Sequence, residues 1–128
     1  MLPLIADRIS KYWALNHLST CRDPRIFSFV LHYNDGISFS LLNSKPQVSF
    51  SLAVITLLCF VFFCLRSKKF YIPGMMFLFA GSVGNLIDRV LYGYVIDWLY
   101  MGIYMNLADT WLCLGGFFVL KNSFCEEI

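Results

Sequence analysis

The sequence predicts an all-α integral membrane domain of four transmembrane helices, the first one short, with a small β-hairpin cradle on the outer membrane face. Three observations carry this expectation. Hydrophobic residues make up 59% of the 128 and charged residues only 14%, with a mean hydropathy of +0.66, whereas a soluble domain carries about 25% charge. Two uncharged runs of 18 residues, Val48 to Leu65 and Phe70 to Ile87, approach the roughly 20 residues that cross a bilayer as helix. Between residues 20 and 47 the pattern changes to strand-like alternation. The length fits one domain over residues 1–128.

Composition also excludes. A net charge of +2 with no basic, aromatic-interleaved cluster argues against nucleic acid. Five cysteines, with Cys59, Cys64 and Cys113 inside apolar stretches, form neither a CxxC pair nor a disulfide framework. His17 and His32 stand apart from any ligand-spaced partner. No metal and no cofactor are expected.

The elements follow in order. Met1 to Leu18 is an apolar stretch broken by Asp7, Arg8 and Lys11. Asp7 and Lys11 are four apart, share a helical face and neutralise each other. Six residues precede Asp7, about 9 Å of helix at 1.5 Å per residue, so this first helix is expected to be short. Basic residues follow the apolar start rather than precede it, so no signal peptide is expected. Next, Phe27, Phe29, Leu31 and Tyr33 alternate with Ser28, Val30 and His32. Asn34-Asp35-Gly36 supplies turn residues, and Ile37, Phe39 and Leu41 resume the alternation as the second strand of a hairpin.

Val48 to Leu65 ends abruptly at Arg66, Lys68 and Lys69, a short basic loop expected to face the cytoplasm. The following run holds Pro73 and Gly74 near its start, where a missing N–H is tolerated, and closes at Asp88 and Arg89. The last span starts at Leu99 or Asn106 and ends at Leu120, before Lys121. This topology leaves both chain ends cytoplasmic and places Asp88, Asp97 and Asp109 on the outer side. Tyr92, Tyr94, Trp98, Tyr100 and Tyr104 read as an aromatic belt at that interface.

The three aspartates occupy the most apolar part of the chain, where each acid costs about 2.5 to 3.5 kcal/mol on an insertion scale. Asp97 and Asp109 are expected at the outer ends of adjacent helices, with eleven residues between them. A loop that folds back brings the carboxylates together. Such a pair shares one proton, and one member activates water while the other protonates a leaving group. The same two residues also read as helix caps, with Asp109 ion-paired to Arg89, or as part of an ion pathway. Spacing alone leaves these open. Asn85 and Arg89 share a helical face, and Arg89 suits a carboxylate, a lipid phosphate, a substrate carbonyl or an interfacial anchor. Gly81 and Gly84 permit close helix approach. Asn34 reads as a turn residue or as a donor reaching into a site.

In combination the motifs resemble the lipoprotein signal peptidase (signal peptidase II) family of bacteria. The matching pieces are Asp7-x-x-x-Lys11, Asn34-Asp-Gly-Ile-Ser-Phe-Ser40, Gly81-Ser-Val-Gly-Asn-Leu-Ile-Asp-Arg89, Gly93-Tyr-Val-Ile-Asp97 and Asn106-Leu-Ala-Asp-Thr110. They follow the family's order and cover nearly the whole chain. The resemblance implies an aspartic peptidase of the bacterial inner membrane, multi-pass and monomeric, with its site facing the periplasmic or extracellular side. The implied substrate is a prolipoprotein carrying diacylglyceryl on its cysteine, cut just before that cysteine, with membrane lipids as surroundings. It maps catalysis onto Asp97 and Asp109 and substrate binding onto Asn34, Asn85, Arg89 and Asn106. Asp88 maps to a supporting position, and Asp7 with Lys11 to a pair holding the first helix against the cradle. The alternative is a non-catalytic, truncated member that binds lipidated proteins.

Overall fold

The computed structural model describes residues 1–35, 46–66 and 72–125. Helix α1 runs over Leu2–His17, strand β1 over Ser28–Asn34, α2 over Pro46–Arg66, α3 over Ile72–Tyr92, β2 over Val95–Tyr100, β3 over Tyr104–Met105 and α4 over Leu107–Cys125. Pro3 sits in the first turn of α1, where its missing N–H breaks no helical bond. The uncharged run after residue 70 continues as helix past Asp88 and Arg89, one turn further than the charges suggest. Gly93 stops it: its φ of +81° is the left-handed conformation, and its N–H donates to the Arg89 carbonyl at 3.1 Å. The last helix takes the later of its two expected starts.

The described sheet takes its further strands from later in the chain than the expected hairpin. β1 pairs antiparallel with β2, and β2 with β3, in the order β1-β2-β3. The expected second strand at Ile37 to Leu41 lies outside the described residues. The second strand of the described sheet is Val95–Tyr100, a segment whose charged residue had placed it at a helix end. Asp97 is therefore a strand residue, opposite His32. A bulge between Phe29 and His32 inserts one extra residue into β1. It switches faces, so that His32 and Asn34 share the face of Asp97.

α3 and α4 form the broadest helix–helix interface, and glycines make it possible. A Cβ on Gly115 would lie 2.7 Å from the Gly74 carbonyl oxygen, and one on Gly81 2.5 Å from that of Ala108. The two backbones touch there, as small residues permit between helices.

Among the described residues, eight polar or charged side chains are buried beside eight apolar ones, and many large apolar side chains are exposed. The largest fully buried side chains are Lys11, Ile96, Asn106, Asp7, Asp88 and Asp97, so five of the six are polar or charged. Ile9, Leu58, Phe62, Leu91, Phe117 and Leu120 all point outward and are more than half exposed. A small apolar cluster, Ala14, Leu31 and Ile96 with Leu15, Leu18, Tyr94 and Trp98 against it, fastens α1 to the sheet. Among the described residues one helix segment, Pro73–Tyr92, is long and apolar enough to cross a membrane by length and composition.

Candidate active site

The first turn of α4 organises the site. Asn106 caps the helix: its Oδ1 accepts from the Asp109 backbone N–H at 3.0 Å, while Asp109 Oδ2 accepts from the Asn106 N–H at 3.2 Å. This reciprocal pair is a capping box built from Asn and Asp. It satisfies two end donors and fixes the Asp109 side chain against its own helix start. Asp7 adds a third bond from α1, with Oδ1 accepting from the Ala108 N–H at 2.9 Å. A carboxylate there also suits the positive end of the helix dipole. Trp111 Nε1 donates to the Pro3 carbonyl at 2.9 Å, tying the same two helices together.

Asp97 reaches this turn from β2. The Asn106 side-chain amide donates to Asp97 Oδ1 at 2.7 Å, and the Asn34 amide to Asp97 Oδ2 at 3.1 Å. From α3, Asn85 Nδ2 donates to Asp109 Oδ1 at 2.8 Å, and Asn85 Oδ1 accepts from Asn106 Nδ2 at 3.1 Å. Both carboxylates are buried, 1% and 4% exposed. Burial, and then the nearby charge of Asp109, push Asp97 up from 3.8 to about 7. Asp97 therefore holds a proton near neutrality where an ordinary aspartate does not.

Beneath the pair lies a buried ionic cluster. Lys11 Nζ stands 2.7 Å from Asp88 Oδ2 and 3.1 Å from Asp7 Oδ2, the second a charge contact outside hydrogen-bond alignment. It also donates to Asn85 Oδ1 at 3.1 Å. Asp88 pairs with Arg8 and accepts from the Ile96 N–H at 3.2 Å, which pins β2 to α3. The Asp7 and Lys11 side chains thus grip α3 and α4, and the link to the sheet runs through Asp88. Arg89 donates to the Asn85 carbonyl at 3.1 Å, within the fields of Asp109, Asp97 and Asp88. Beside it opens a pocket of about 400 Å³ lined by Gln47, Phe50, Ser51, Arg89 and Gly93.

Each of the nine residues singled out from the sequence thus lies in or beside one buried network. Two further residues join it. Arg8, half-buried at its edge, also donates to the Gly84 carbonyl at 3.2 Å. His32 stacks on Tyr104 with centroids 3.9 Å apart, directly across from Asp97, and burial lowers its pKa and favours the neutral ring. The alternation of β1 carried that signal, since it sets His32 and Asn34 on one face. Among the described residues no cluster of His, Cys, Asp and Glu suits a metal ion.

Known proteins share the sequence pattern and the fold of this chain. A family profile described as "Signal peptidase (SPase) II" matches residues 1–125. A lipoprotein signal peptidase of Syntrophomonas wolfei is 32% identical over 128 residues, covering 94% of this chain and 86% of its own. One of Clostridium tetani is 28% identical, covering 99% and 93%. A solved bacterial membrane enzyme superposes with a TM-score of 0.80 at 26% identity, covering 98% of this chain and 85% of its own. With the family profile matched along nearly its full length, the chain belongs to the signal peptidase II family.

Proposed function

We propose that this protein is an aspartic endopeptidase that removes the signal peptide of diacylglyceryl-modified prolipoproteins, cutting just before the lipidated cysteine. Asp97 and Asp109 form its catalytic pair. The observation that carries this reading is Asn106, which donates to Asp97 through its side chain and to Asp109 through its backbone. One residue thereby fixes two buried carboxylates that arrive from different elements. In the reaction, one carboxylate takes a proton from water as the water attacks the scissile carbonyl, and the protonated one supplies the leaving amine. The pair shares one proton; the charge of Asp109 favours its residence on Asp97, which in this reading is the acid and Asp109 the base. Asn34, Asn85 and Arg89 supply donors for the polar groups of an extended substrate, which need partners at membrane depth, whereas Asn106 has given its N–H groups to Asp97, Asn85 and Asp109 and acts by holding the pair. The pocket beside Arg89 has an apolar wall at Phe50 and suits the lipidated segment.

Exposed large apolar side chains around buried polar ones support a bilayer setting, with α2, α3 and α4 of 21, 21 and 19 residues as full spans and the 16-residue α1 as the short one. The sheet then lies at the outer surface of the bacterial inner membrane with the site beneath it, in a monomer built as one domain. Purified protein in detergent or vesicles should cleave a diacylglyceryl-modified precursor and leave the unmodified precursor intact. Binding of the lipidated precursor without cleavage would instead identify a non-catalytic binder.

Activity should also depend on pH with a definite sign. The Asp97 proton is lost as pH rises through about 7, so the rate should fall on the alkaline side with a midpoint near that value. In Asp109→Asn the neighbouring charge is gone but burial persists, so Asp97 should titrate below 7 yet above 3.8. Carbon-13 NMR of the carboxyl group checks this, and an unmoved midpoint would separate the two residues electrostatically.

A further inference from the structure

The donor and acceptor ends of a buried asparagine carry opposite meanings for a neighbouring carboxylate, so something must hold each amide the right way round. Asn106 is held by the Asp109 backbone N–H, a fixed donor that demands its oxygen. Asn85 is held by two donors to its Oδ1: the neutral Asn106 amide and the Lys11 ammonium, both at 3.1 Å. Its Nδ2 is thereby turned to Asp109. A reversed Asn85 would set its N–H groups against an ammonium that has donors only, and its oxygen against a carboxylate.

Resting on the reading of Asp97 and Asp109 as the catalytic pair, we infer that Lys11 is a positioning residue for the reaction, acting on Asp109 through Asn85. Lys11 is fully buried and lies on the far side of Asn85 from Asp109, so it meets neither substrate nor the reacting atoms. A charged donor on the amide oxygen also strengthens donation from the amide nitrogen. Lys11 thus does more than balance charge. The groups around it are Asp7 and Arg8 on its own helix and Asp88 and Asn85 on α3, with Asp109 on α4 and Asp97 on β2 beyond the amides.

Removing Lys11 alone strands a buried negative charge, so the test uses the balanced variant Lys11→Met/Asp88→Asn, which deletes one cation and one anion. We expect a fall in kcat of about 100-fold, the scale of a catalytic group misplaced by 1 Å, with KM within about threefold. The deciding measurement is a cycle with Asn85→Ala. If Lys11 acts through Asn85, adding the balanced pair of substitutions to Asn85→Ala changes kcat by less than about threefold. Losses that multiply would overturn the inference and leave Lys11 a structural charge. The native protein offers a second test should the balanced variant not fold. A neutron structure should show the Asn85 deuterons towards Asp109 and its oxygen towards Lys11; the reverse orientation overturns the inference. Failure of the catalytic-pair reading looks different, since Asp97→Asn or Asp109→Asn would then retain activity.

Discussion

Asp97→Asn and Asp109→Asn should each lower precursor processing by about 10³-fold or more, since each removes one of the two proposed proton-transfer groups, worth about 10² to 10⁴ apiece. The substitutions conserve shape, and both sites lie in the interior, so the chemistry is the main thing changed. They do not conserve every hydrogen bond. Asp109 uses one oxygen for the Asn85 amide and the other for the Asn106 N–H, and an asparagine can satisfy only one of them. Asp97 likewise divides its oxygens between Asn34 and Asn106. Each variant thus leaves a donor facing a donor, at a cost of about 1 to 3 kcal/mol. Loss of a buried charge offsets part of that. The expected result is a protein that still unfolds cooperatively in detergent, a few degrees from the native midpoint, and that binds lipidated precursor without cutting it. Full processing by either variant would sink the assignment.

The aspartates stood out in the sequence because a carboxylate in apolar surroundings is costly, and the structure shows what meets that cost. Every acid in the run is held by donors from another element. The helices were legible for a simple reason: uncharged runs of bilayer length leave few alternatives. Their ends were less so, since Asp88 and Arg89 read as a stop but face a polar interior where α3 continues. β2 was illegible in physical terms. Val95, Ile96 and Asp97 are all buried, so the strand lacks the in–out alternation that marked β1, and its partner lies some sixty residues earlier. Pairing of that range leaves no local trace. The Asn106-to-Asp109 spacing, by contrast, is itself a capping signature three residues apart, and it marks the α4 start without any reference to chemistry. Arg8 was passed over because its neighbours at positions 7 and 11 already formed a pair, and a pair leaves no visible need for a second cation. That need appears only when α3 brings Asp88 to the cluster.

Gly81→Ala should damage both stability and catalysis, against the usual benefit of replacing a helical glycine. Alanine in a helix is favoured over glycine by up to about 1 kcal/mol. At this position the added methyl would meet the Ala108 carbonyl oxygen at 2.5 Å and Leu112 Cγ at 2.7 Å. Leu112 can turn aside, but Ala108 is backbone, next to Asp109 and bonded through its N–H to Asp7. The contact can be relieved only by moving α4 away from α3 at the turn that holds the proposed catalytic pair. Overpacking of this kind costs about 1 to 3 kcal/mol, and a 1 Å displacement of a catalytic group about 100-fold in rate. Gly116→Ala makes the matched control on α4, because nothing lies within 4 Å of its added methyl. Thermal unfolding and turnover of the two variants should therefore diverge, with Gly81→Ala several degrees less stable and about 100-fold slower and Gly116→Ala indistinguishable from the native protein or slightly more stable. Equal behaviour of the two would mean that the close approach of α3 and α4 does not set the position of Asp109.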